Sequence, residues 1–313
     1  QEAKILNTSI QNLIRMSEEI AIDHSEIIST IFENENKTSW AYFFPFVFSN
    51  HLPPGKKIYI YEDSDLIFIF IHYLRNPNQI ELFFPPLILN DLTMKQFNEI
   101  FRKINQPNIR FLWVDEIDKK KLEKYFGSQI QIEIKSSEYI FDPKKIHSLE
   151  GSEFRDVRKK INSVQKYHPI FSCLNSDDIP EVLQLLKTWR KLQGRNNNFL
   201  LDWGYTNAAV KCFIDFDSSR FNAWKVKISS EIVGVGMAGK INNQIANMFI
   251  AKTNMSIHGV SEFLRWQMFA RLDEFQFVND ASDLGISGLK QHKLKFRPIE
   301  FQSVYTANLN LTV

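Results

Sequence analysis

Cysteine is nearly absent from this chain: 313 residues contain two, Cys173 and Cys212. Two thiols make neither a disulfide framework nor a metal knuckle, which fits a reducing compartment and leaves buried thiols as the plain reading. Glycine and proline are also sparse at 11 each, which with the apolar content excludes disorder of the chain as a whole. A net charge of +2 excludes sequence-wide basicity, so any case for nucleic acid must rest on local patches, and DNA is not expected as a partner. Long apolar runs are missing too. LIFIFI, Leu66 to Ile71, falls far short of the roughly 20 residues a membrane span needs. No signal peptide is visible at the start, and the expectation is a soluble, cytoplasmic protein. His147, His168, His258 and His292 have no metal-ligand spacing, and no Walker or dinucleotide glycine loop occurs. Ser261 and Cys212 have no local nucleophile context, which argues against covalent catalysis.

What is present is a folded composition, 44% hydrophobic with 27 Phe, and material for two cores of about 100 to 200 residues each. The first half opens with apolar residues at helical spacing up to Glu35, with Asp23 and Ser25 as candidate caps. Aromatic and β-branched runs then predict antiparallel strands in SWAYFFPFVFS (Ser39 to Ser49), KKIYIYEDSDLIFIFIHYL and QIELFFPPLI. A helix over Thr93 to Ile104, the strand RFLWVD and a helix over Asp118 to Phe126 complete a unit ending near Lys135. The second half repeats the order: helix EFRDVRKKINSVQKY, strand PIFSCLN, capped helix DDIPEVLQLLKTWRKLQG, three strands from Phe221 to Thr253, a helix from Val260 to Glu274, and strands FQFVND and FQSVYTANL. The fold class expected is α+β with two similar halves, residues 1–136 and 137–313, the hydrophilic IKSSEY segment lying between them.

That order resembles the GNAT acyltransferase layout, in which the start of the central helix grips the donor with backbone N–H groups. A coenzyme A-binding member would show a basic residue or Gln and two close glycines in the loop KTNMSIHGVSEF; this chain offers only Gly259 as a cofactor-binding candidate.

The run Ser136 to Asn162 carries Glu138, Tyr139, Asp142, Leu149, Gly151, Phe154, Arg158, Ile161 and Asn162, and a second run carries Asn279, Asp283, Leu284, Gly285, Gly288, Leu289, Lys293 and Pro298. With Lys252 in FIAKTN, these positions resemble proteins related to the C-terminal domain of phosphatidylglycerol lysyltransferase, a tandem GNAT family. The resemblance implies tandem GNAT-like halves, the first degenerate, and transfer of an activated aminoacyl or acyl group to an amine or hydroxyl. It implies an aminoacyl-tRNA donor, and hence tRNA as partner, with acyl-CoA or a carrier-protein thioester as the alternative. The acceptor stays open among small molecules, peptides and lipids. Asp283 and Lys293 are the catalytic candidates, and Tyr139, Arg158, Lys252, Asn279, Gly285, Gly288 and Trp266 the substrate-binding ones.

Two family glutamates are replaced, by Ala251 before Lys252 and by Ala281 before Asp283, so a general base has moved or the reaction is lost and the protein only binds. Each feature has a plainer reading. Lys293, Lys295 and Arg297 suit a solvated helix face or ion pairs with Asp280 or Asp283 as well as a phosphate-bearing donor. Arg155, Arg158, Lys159 and Lys160 suit an amphipathic surface. Trp189, Trp203, Trp224 and Trp266 suit core packing as well as base stacking. Gly285 and Gly288 suggest a tight turn followed by a short helix with Lys290, Lys293 and Arg297 on one face, Lys293 reaching a carboxylate such as Asp142, and Lys295 facing elsewhere.

Overall fold

The structure, a computed structural model, describes residues 10–51, 55–193 and 197–311; the side chains of 51, 193 and 197–203, Trp203 among them, lie outside what it describes. The chain forms two compact units. One holds the chain up to Lys37, Asn50–Ser136 and the chain from Ser303 on; the other holds Thr38–Ser49 and Ser137–Gln302.

In the first unit a helical stretch over residues 10–15 leads to β1 (Glu18–Glu19) and α1 (Ser25–Asn34), which buries Ile28, Ile31 and Phe32 along one stripe. Strands β2 (Lys56–Asp63), β3 (Leu66–Tyr73) and β4 (Ile80–Leu82) run antiparallel in sequence order. Helix α3 (Asp91–Lys103) then returns the chain so that β5 (Asn108–Val114) lies parallel to β4. Asn90 opens α3: its side chain accepts the Thr93 N–H at 2.9 Å, and Thr93 Oγ1 accepts the Asn90 N–H at 3.0 Å. Helix α4 (Glu116–Phe126) follows, and β5 takes β12 (Glu300–Asn310) as its antiparallel neighbour. Phe68, Phe70, Phe97, Phe101 and Phe111 are fully buried in this core.

In the second unit β7 (Ile170–Cys173), β8 (Phe221–Ile228), β9 (Glu231–Lys240) and β10 (Ile245–Thr253) form the antiparallel series. Helix α9 (Val260–Arg271) crosses back to β11 (Phe277–Asn279), parallel to β10. The antiparallel neighbour of β11 is β6 (Ile130–Phe141), through Ile140 and Phe141. Both units thus share a meander, a crossover helix and a parallel strand. Helices α5 (Pro143–Ser148), α6 (Arg155–Gln165) and α9 close one core around Phe141, Phe154, Val157, Leu264, Met268 and Phe269. Helices α2 (Phe44–His51), α7 (Ile179–Gln193) and α8 (Asn197–Cys212) also fold in this sequence, and α10 (Ser287–Leu294) follows β11.

One expectation needs correction. Ser39 to Ser49 is not a strand but a turn followed by α2. Trp40 to Val47 is buried at every position, and periodicity cannot separate a strand from a helix buried all round. Pro45, just inside α2, has no N–H to lose there. The chain passes from one unit to the other within IKSSEY, between Ser136 and Ser137, and the segment is part of β6, whose Ile130, Ile132 and Ile134 alternate with polar residues. Helix α8 was not anticipated, because its apolar residues form no single stripe. Among the described residues no helix is long and apolar enough to cross a membrane, and no group of three or more His, Cys, Asp or Glu could hold a metal ion.

Candidate functional site

In the second unit β10 and β11 pair over three positions only, Ile245 with Phe277, Ala246 with Val278 and Asn247 with Asn279. Beyond them β10 continues along β9 to Thr253, with a register shift between Met248 and Ile250 that leaves Phe249 as the extra residue. The chain after β11 instead turns away toward α10. Two parallel strands therefore part at their carboxyl ends, the place where open sheets expose polar chain ends to ligands.

At that point Asn247 is fully buried; its amide donates to the Trp40 carbonyl at 2.5 Å, and its Oδ1 has no hydrogen-bond partner among the described residues. Trp40 comes from the turn before α2 and packs on Phe46, Tyr205 and Phe249 with centroids 4.7, 5.8 and 5.7 Å away. Its indole N–H donates to the Met248 carbonyl at 3.1 Å.

Across β11 lies a buried polar group. The Glu138 carboxylate accepts from Ser39 Oγ at 2.9 Å, the Trp40 N–H at 3.0 Å and Asn279 Nδ2 at 2.7 Å. Burial pushes its carboxyl up, while those three donors and Lys293 oppose the shift. Asn279 also donates to the Thr38 carbonyl at 3.0 Å and accepts the Ala281 N–H at 3.0 Å. Next along the chain, Asp280 accepts from the Arg265 guanidinium, and Lys293 Nζ stands 3.6 Å from its Oδ1.

Lys293 is 3% exposed and donates to the main-chain carbonyls of Asp280 and Ala281. Burial, with Arg265 nearby, pushes its ammonium down to about 8 against the pull of Asp280. The turn it braces has left-handed backbone at Ala281 (φ 53°), Leu284 (φ 54°) and Gly285 (φ 72°). Asp283 accepts from the Tyr139 hydroxyl at 2.6 Å and from the Gly285 N–H at 2.9 Å. Burial works against its ionisation, but these donors with Lys290 and Lys293 outweigh it and hold the carboxyl below the usual range. The Tyr139 phenol is pushed up by burial and by Asp283.

A family model described as phosphatidylglycerol lysyltransferase, C-terminal, matches residues 55–308. The chain belongs to this family. No curated protein sequence matches it. Among solved structures, a conserved protein of unknown function from Bacteroides thetaiotaomicron VPI-5482 has a TM-score of 0.81 at 18% identity, over 94% of this chain and 99% of that one. L-PGS from Bacillus licheniformis has 0.67 at 13%, over 95% and 94%. A tandem GNAT protein from the clavulanic acid biosynthesis pathway has 0.51 at 10%, over 93% and 98%. The fold is that of a tandem GNAT-like α+β protein.

Within this lysyltransferase-family fold, Tyr139, Asn279, Asp283, Gly285 and Lys293 come together, and the remaining candidates do not join them. Arg158 is spent on the carbonyls of Leu149 and Gly151. Lys252 stands 4.2 Å over the Trp189 ring. Trp266 donates to the His147 carbonyl at 3.0 Å. Gly288 lies in α10 with nothing within 4 Å of a Cβ, so no backbone approaches it closely. Gly259 precedes α9 at φ 89°, where a Cβ would come 2.2 Å from the Lys160 carbonyl, so it is pressed against α6. Of the three cations expected on one helix face, Lys293 is buried, Lys290 is exposed, and Arg297 lies beyond the end of α10 with left-handed backbone (φ 56°); the carboxylate partner of Lys293 is Asp280, and Asp142 instead caps α5 through the N–H groups of Lys144 and Lys145. Lys295 stands 3.5 Å from Glu262. Sequence reasoning missed Arg265, Ser39, Trp40 and Asn247, whose neighbours come from distant parts of the chain.

Proposed function

We propose that this protein transfers an activated aminoacyl group, carried as a tRNA ester, to an amine or hydroxyl acceptor at the parting of β10 and β11. The observation that carries the reading is the orphaned Asn247 Oδ1, a fully buried acceptor at that parting which a substrate N–H or O–H would satisfy. In this reading ionised Asp283 receives a substrate ammonium, and Lys293 positions the Asp280–Ala281 main chain beside it. The seating of Gly259 against the Lys160 carbonyl favours a donor other than coenzyme A, because no pair of open glycines frees the start of α9 for a pyrophosphate. Family membership supports a lipid acceptor such as phosphatidylglycerol; peptides and small amines are the other acceptors to test.

A competing reading is a protein that binds such a ligand without turning it over. Ala251 and Ala281 favour it, since both stand where the family resemblance calls for glutamate. The deciding experiment incubates the protein with tRNA charged with radiolabelled amino acids and with phosphatidylglycerol vesicles, peptides or small amines. Label appearing in an acceptor supports transfer. Charged tRNA bound without deacylation supports the binding reading, and neither outcome together with tight acyl-CoA binding moves the donor to a thioester.

A further inference from the structure

Ser261, His292 and Glu262 form a line beside the Asp280–Lys293 group. Ser261 and Glu262 stand in the first turn of α9, and His292 faces them from α10. Ser261 Oγ lies 3.2 Å from His292 Nε2, and His292 Nδ1 lies 3.6 Å from Glu262 Oε1. Glu262 is 6% exposed, and the imidazole packs edge-on to Phe296 at 5.6 Å. When Nε2 accepts the hydroxyl hydrogen, the ring proton sits on Nδ1 and faces the carboxylate, the tautomer a nucleophile, base and orienting acid require. Burial, with Arg265, Lys295 and Lys293 around it, pushes the imidazole down to about 2, so it is neutral at pH 7 and holds a transferred proton only weakly. The first-turn N–H groups of a helix are available to a developing oxyanion.

We propose that Ser261 is an acyl-accepting nucleophile toward small carboxylic esters, with His292 as its base and Glu262 positioning the imidazole. Ser261 Oγ attacks the ester carbonyl carbon while its proton passes to His292 Nε2. The ester C–O bond breaks, the leaving alkoxide takes that proton, and Ser261 is left acylated. Water or an amine then attacks the acyl carbon, its proton passes through Nε2 to Ser261 Oγ, and the Oγ–acyl bond breaks. Burial, Arg265, Lys295 and Lys293 all oppose the imidazolium, and Glu262 Oε1 also faces Lys295 at 3.5 Å, so slow acylation is the expected behaviour.

The inference does not depend on a tRNA donor, and its test uses none. The full chain is incubated with 4-nitrophenyl acetate, release of 4-nitrophenol is followed, and the acylated residue is located by peptide mass. The expected result is one acetyl group on Ser261, with release slowed about 100-fold or more by Ser261→Ala and about 10- to 100-fold by Glu262→Gln. Ser261→Cys, which keeps a nucleophile, should remain acylated at 261, and melting curves establish that each variant is folded. Acetyl groups on lysines alone, or equal release by the wild type and folded Ser261→Ala, would overturn the proposal and leave Ser261 as a hydrogen-bond donor that seats α10.

Discussion

The Tyr139 hydroxyl donates to the Asp283 carboxylate at 2.6 Å, joining the end of β6 to the turn that follows β11. A bond to an ionised group of this kind contributes about 1.5–3 kcal/mol. Tyr139→Phe should therefore lower the unfolding free energy in urea by about that amount at neutral pH. Because the Asp283 carboxyl is held below its ordinary range, its contribution is present above that range and is lost as pH falls through the lowered value. The difference between wild type and Tyr139→Phe should shrink accordingly in acid.

Lys293 should behave as a buried cation. Lys293→Ala leaves Asp280 short of one partner and is expected to cost about 3–5 kcal/mol, whereas Lys295→Ala removes a partly exposed pair and should cost less than about 1 kcal/mol. The folded Lys293 sits at about 8, below the ordinary 10.5, so the unfolded chain binds its proton more tightly. Its titration therefore adds stability as pH rises between those values. Lys293→Met should flatten that alkaline rise in urea unfolding.

In the first unit, Asp115 is fully buried, its Oδ1 accepts the Asp118 N–H at 2.7 Å, and its Oδ2 has no hydrogen-bond partner among the described residues. Burial first, and Asp118 second, push its carboxyl up to about 7 against the pull of Lys37. The stability that comes with its proton is full below the ordinary 3.8 and is lost as pH rises to about 7. Asp115→Asn keeps a good helix cap without the charge, so thermal melting should become less sensitive to pH over that window and Tm should rise at neutral pH.

Coenzyme A should bind weakly, with Kd above about 100 μM, roughly −5.5 kcal/mol. Calorimetry giving low-micromolar binding would make a thioester the leading donor.

Residues 137–313 expressed alone should fail to give a cooperative unfolding transition. They lack Ser39 and Trp40, whose hydroxyl and N–H satisfy the buried Glu138, and supply of a peptide covering 38–49 should partly restore it.

Local pattern was enough for much of the fold. Helices α3, α6 and α9 follow from periodicity, because each buries a face that its own sequence repeats, whereas β3, buried on both faces, and the three-residue β11 follow from aromatic and β-branched runs bounded by turn residues. The turn glycine at 285 was legible for a similar reason, since its left-handed backbone favours that residue. What stayed hidden depends on distance along the chain. Glu138 meets Ser39 and Trp40 from nearly a hundred positions away, and His292 meets Ser261 across 31, so neither pairing leaves a spacing to read. Gly288 resembled Gly285 in sequence, yet it stands in an ordinary helical turn.

The pairing of β5 with β12 has a consequence for synthesis. Strand β5 ends at Val114, but the strand that covers its free side ends at Asn310. At ribosomal speeds of about 5–20 residues per second, that edge waits roughly 10–40 s for its neighbour to be made. Through this interval the nascent chain carries a row of unpaired main-chain groups, an invitation to association between neighbouring polysomes. Arg110, alternating with Phe111 in β5, is the charge that would discourage it.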